Sequence, residues 1–77
     1  MANYKTADIQ ASIEKLLKDD PSKSYSREEI IDKLSNTYKN MELNRTLGEM
    51  EVSSLMTNPK PQYESTCRDG TVYFQWR

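Results

Sequence analysis

The chain has 77 residues, 11 Lys and Arg against 12 Asp and Glu, no His, and a hydrophobic fraction of 35%. That length admits one domain with a modest core, so each large apolar side chain is a core candidate. A net charge of −1 excludes the strongly basic footprint of many nucleic-acid binders. The absence of His removes the usual imidazole base and metal ligand, and the lone Cys67 leaves no internal disulfide. No apolar run is long enough to span a bilayer, and no signal-peptide core is visible. The expectation is a cytoplasmic single domain over residues 1–77, with residues 1–5 frayed.

The first helix is expected from Thr6, whose hydroxyl suits a cap, with Asp8 favourably placed against the helix dipole. Ile9, Ile13, Leu16 and Leu17 form one apolar stripe. Asp19-Asp20-Pro21-Ser22 ends it, because the residue before a proline is pushed out of the α region. Tyr25 then fits a short edge strand beside a C-terminal hairpin. Ser26-Arg27-Glu28-Glu29 matches a capping box, in which the Ser26 hydroxyl meets the Glu29 amide and the Glu29 carboxylate reaches back. Glu28 and Glu29 therefore read as cap and dipole residues rather than as a catalytic carboxylate pair. Ile30, Ile31 and Leu34 form the buried side of a second helix, joined by Tyr38 if the helix continues that far.

A polar connection is expected over residues 36–42. A third helix then runs from near Asn44 to about Thr57. Its apolar residues are Leu47, Met50, Val52, Leu55 and Met56, with Leu43 leading in. That set wraps more than one face, which implies deep burial or a kink near Gly48. Glycine inside a helix costs about 1 kcal/mol relative to alanine, and close packing against another helix would account for it. Asn58-Pro59-Lys60-Pro61 stops the helix and starts the hairpin.

Asp69-Gly70 is a strong two-residue hairpin signal, because both central positions of a type I′ turn need positive φ. A turn there sets Cys67 opposite Val72, Ser65 opposite Phe74, and Tyr63 opposite Trp76. Alternation then gives Tyr63, Cys67, Val72, Phe74 and Trp76 one face, directed at the core. Glu64, Thr66, Arg68, Thr71, Tyr73, Gln75 and Arg77 take the other face, directed at water. Cys67 is accordingly expected to be structural.

This order of elements resembles the winged-helix branch of the helix-turn-helix proteins. The residues that carry the resemblance are Tyr25-Ser26-Arg27-Glu28-Glu29-Ile30-Ile31, Asn44-Arg45-Thr46-Leu47-Gly48-Glu49-Met50, and Arg68-Asp69-Gly70 at the tip. It implies an α+β fold, a three-helix winged helix-turn-helix with a C-terminal two-stranded β-hairpin wing. It also implies a transcriptional or chromosome-associated regulator, with the third helix in the major groove of duplex DNA and the wing on backbone or minor groove. By that resemblance the DNA-binding candidates are Asn44, Arg45, Thr46 and Ser53 on the third helix, Lys39 and Lys60 in the connections, and Arg68 on the wing. Ser54 and Thr57 are further hydroxyl candidates. Arg45 suits a guanine edge and Asn44 an adenine edge, although Asn44 fits a helix cap equally well. Lys60 and Arg68 suit phosphates, and ordinary solvated charges as well.

Glu49 and Glu51 depart from that pattern, because carboxylates facing phosphate oppose the counterion release that drives affinity. Glu49 lies one turn after Arg45 and is placed to pair with it. The same fold as a protein–protein module, docking through the third helix without DNA, suits these acidic residues. Homodimerisation is compatible with either use. No catalytic residues, cofactor or metal are expected: Cys67 points to the apolar face in this register, the chain has no His, and no glycine-rich phosphate loop is present. The first helix mixes acidic residues into its polar face, which disfavours a membrane surface.

Overall fold

A computed structural model describes residues 6–56 and 60–77. Its elements are α1 (Thr6–Asp19), β1 (Tyr25–Ser26), α2 (Arg27–Leu34), α3 (Asn40–Ser53), β2 (Tyr63–Arg68) and β3 (Thr71–Trp76). The strands form one antiparallel sheet in the order β1-β3-β2, so the architecture is a small α+β domain. No helix among the described residues is long and apolar enough to cross a membrane.

The stripe on α1 behaves as its spacing requires: Ile9, Ile13 and Leu17 are buried and Leu16 packs at the core margin. The helix ends at Asp19, ahead of Pro21. It already includes Thr6, and what precedes that residue lies outside the described residues. Tyr25 pairs with Phe74 and Ser26 with Tyr73, which makes the short strand the third member of the sheet.

The capping box forms, and Glu29 gains a further partner from outside it. Ser26 Oγ accepts from the Glu29 amide at 3.1 Å. The Glu29 carboxylate reaches back to the Ser26 backbone amide, and its stronger partner is Lys23 Nζ, which donates to it at 2.9 Å. An ammonium donor is a stronger partner for a carboxylate than a neutral amide. That bond lowers the Glu29 pKa and raises that of Lys23. Lys23 also sits 4.6 Å from the Tyr25 ring centre.

The third helix differs from expectation at both ends. It begins at Asn40 and closes at Ser53, about a turn earlier than its pattern suggested on either side. Leu43 is fully buried and its amide bonds the Lys39 carbonyl at 3.0 Å. Fixing Leu43 in the core therefore draws the preceding turn into the helix, although residues 36–42 look like a connection. At the other end the Ser54 hydroxyl bonds the Glu51 carbonyl and the Ser65 hydroxyl of β2, tying the exit to the sheet. Val52, Leu55 and Met56, expected in the core, are exposed. Gly48 causes no break, and a Cβ built there meets nothing within 4 Å, so close packing does not account for it. Asn58 and Pro59, expected to stop the helix, lie outside the described residues, as does Thr57.

The hairpin follows its turn. Asp69 and Gly70 both have positive φ, 52° and 79°, and the pairs Tyr63↔Trp76, Ser65↔Phe74 and Cys67↔Val72 form. Tyr63 and Phe74 are buried while Val72 and Trp76 pack at the margin. Cys67 is exposed, contrary to its expected structural role. It points to the inner face, but it lies next to the turn, beyond the helices that cover Tyr63 and Phe74.

Candidate nucleic-acid interface

The inner side of α3 is set by Leu43, Thr46, Leu47 and Met50, all buried. Thr46 is only 1% exposed and its hydroxyl donates to the Glu42 carbonyl at 2.9 Å. It cannot meet a base edge, which removes it from the candidates. The signal was present in the chain, since Thr46 lies three residues after Leu43 and four before Met50, on the same stripe. Ser54 is buried as well and is used within the fold.

The outer side carries Asn44, Arg45 and Glu49, all exposed. Asn44 is not a cap, because the helix starts a full turn earlier. Its Oδ1 accepts from Arg27 Nε at 3.2 Å and its backbone carbonyl accepts from Arg27 Nη2 at 2.8 Å. Arg27 is the first residue of α2, a position where the helix dipole disfavours a cation. The two bonds to α3 give this arginine a compensating partner. Arg27 was not among the candidates read from the sequence; a cation at the positive end of a helix was the available signal. Arg45 makes no ion pair with Glu49 among the described residues, although one turn separates them. Lys39 immediately precedes α3 with extended backbone, exposed, and provides no side-chain cap.

The outer face of the sheet holds a second cationic group. The Arg68 guanidinium lies 4.4 Å from the Tyr73 ring centre, a cation–π distance. Tyr73 shares a row with Ser26 of β1 and Thr66 of β2. The β1–β3 register advances from Tyr25↔Phe74 to Ser26↔Tyr73, toward the turn. The chain therefore leaves the sheet after Ser26 from the middle of the ladder, heading toward the end that holds Arg68. Ser26, immediately before Arg27, thus shares a row with Tyr73, on which Arg68 stacks.

Two candidates lie elsewhere. Lys60 precedes β2 at the base of the hairpin, while Arg68 closes the same strand; a strand of that length spans roughly 20 Å. Ser53 closes α3 and borders a cleft of about 370 Å³ with Gln10, Glu14 and Tyr63. Burial raises the pKa of the Tyr63 phenol there, and the Ser53 hydroxyl opposes that shift. The structure does not bring Lys60 and Ser53 together with Arg68 and Asn44.

The electrostatics of α3 are divided along its length. Lys39 and Arg45 lie in or before its first half with Glu42 between them, whereas the second half carries Glu49 and Glu51 and no cation. Met41, Val52 and Leu55 are 82%, 66% and 76% exposed, so apolar surface brackets the polar residues. Comparison of the chain with protein-family models, curated proteins and solved structures finds no match.

Proposed function

We propose that this chain is a winged-helix protein that binds duplex DNA, as a transcriptional or chromosome-associated regulator in the cytoplasm. In this reading the first half of α3 enters the major groove and the β2–β3 hairpin acts as the wing. The observation that carries it is the sheet order β1-β3-β2. A strand inserted between the first two helices joins the terminal hairpin, as in the winged-helix arrangement, and Arg68 lies at the hairpin tip. Asn44, Arg45 and Arg27 would meet bases, with Lys39 and Arg68 on phosphates. No catalytic step and no cofactor belong to this reading.

Titration of short duplexes across a salt series tests it. Affinity should fall as salt rises, and Lys39→Ala should weaken binding evenly across sequences and reduce the salt slope by about 1. No binding even at low salt would overturn the reading.

A second reading draws on the exposed Met41, Val52 and Leu55 beside Glu49 and Glu51. These would make α3 a docking face for a protein partner or a second copy. Glu49→Arg and Glu51→Arg discriminate: they should strengthen binding to DNA under the first reading and abolish partner capture under the second.

A further inference from the structure

We propose that Arg27 and Asn44 act as one donor-only unit in the groove and that this unit selects guanine. The inference rests on the DNA-binding reading above and deepens it by naming the base. Arginine has no acceptor, so the group that meets Arg27 Nε must be the oxygen of the Asn44 amide, at 3.2 Å. The amide orientation is therefore fixed by chemistry. Its oxygen faces Arg27 and its NH₂ group faces away, on an exposed residue. The second bond, Arg27 Nη2 to the Asn44 carbonyl at 2.8 Å, holds the guanidinium against the helix and leaves its remaining N–H groups available.

An isolated asparagine reads adenine with one acceptor and one donor, matching N6 and N7. With its oxygen engaged by Arg27, Asn44 presents donors alone, and so does Arg27. Guanine offers two adjacent acceptors in the major groove, N7 and O6, whereas adenine sets a donor beside its N7 and cytosine presents a donor. The pair therefore favours guanine and opposes adenine. Asn44 thus acts as a guanine reader because α2 supplies its partner, rather than as the adenine reader its residue type suggests.

The test is selection of the native protein on short duplexes with a randomised centre, at low salt, followed by the same selection with variants. The native chain should enrich guanine over adenine at one position by about tenfold. Arg27→Ala frees the amide oxygen, and the preference at that position should move toward adenine. A guanine preference supplied by Arg45 alone would survive Arg27→Ala, and that result would overturn the proposal. Asn44→Asp replaces the donors with acceptors and should erase the preference. Circular dichroism establishes that the variants are folded. A guanine analogue with carbon in place of N7 tests the same contact without altering the protein, and should weaken native binding by about tenfold. Native binding that shows no base preference, or prefers adenine, refutes the donor-only unit while leaving DNA binding intact. Native failure to bind any duplex refutes the DNA-binding reading itself, and the proposal with it.

Discussion

The two sides of α3 obey different rules. On the inner side Leu43, Thr46, Leu47 and Met50 are buried, and each is held by packing or by a hydrogen bond within the fold. On the outer side Met41, Asn44, Arg45, Glu49 and Val52 are exposed, and among them only Asn44 has a hydrogen-bond partner from another element. Side chains on the inner side answer to the core. Those on the outer side are released from that demand, so their identities are free to serve recognition. The contrast also explains why a helix with so many apolar residues needs no second packing surface. Its apolar content is split between a core stripe and an outward patch.

Substitutions along the helix test that division. Leu47→Ala should cost about 2–5 kcal/mol, because it removes buried methyl groups and leaves a cavity the surroundings only partly fill. Chemical denaturation with an unchanged m value would measure it. A loss below about 1 kcal/mol would mean the inner side is not well packed. Gly48→Ala should raise stability by about 1 kcal/mol, since alanine is the better helix former and a Cβ there meets nothing within 4 Å. A loss of stability in the same assay would reveal a hidden contact on the outer side.

Val52→Lys should change stability by no more than about 0.5 kcal/mol, the usual range for exposed positions away from special features. A larger loss would mean the patch is covered in the folded protein. The smallest effect concerns Glu29, away from α3, where the Lys23 ammonium lowers the carboxyl pKa. Its contribution is present above the ordinary glutamate value and is lost as pH falls through the lowered folded value. Comparing the pH dependence of stability in the native chain and Glu29→Gln should show a slightly shallower acid loss in the variant. No change in slope would mean the pair is fully screened by solvent.

Two other elements show why some features were legible and others were not. The Asp69-Gly70 turn demands positive φ at two adjacent residues, and its register sets every opposing pair in the hairpin. The outcome depends on a few consecutive bonds, so it can be read directly. The exposure of Cys67 cannot be read that way. Alternation gives the face, but only the extent of the covering helices decides whether that part of the face is covered. Arg27 is intermediate: its place at a helix start was legible, whereas its partner lies on a different helix.

The amino-acid order by itself determined the α1 stripe, the Ser26 cap, the edge strand at Tyr25 and the paired register of the hairpin. All but the edge strand arise from the spacing of neighbouring residues or across one tight loop; Tyr25 was legible from its pattern, although its partner Phe74 is distant in the chain. Tertiary structure alone decided where α3 starts and stops, which way the Asn44 amide faces, and which part of the hairpin's inner face is covered. Those outcomes depend on groups distant in the chain. The core position of Leu43 recruits the turn before it, Ser65 anchors the exit after it, and a guanidinium from α2 fixes the amide on α3.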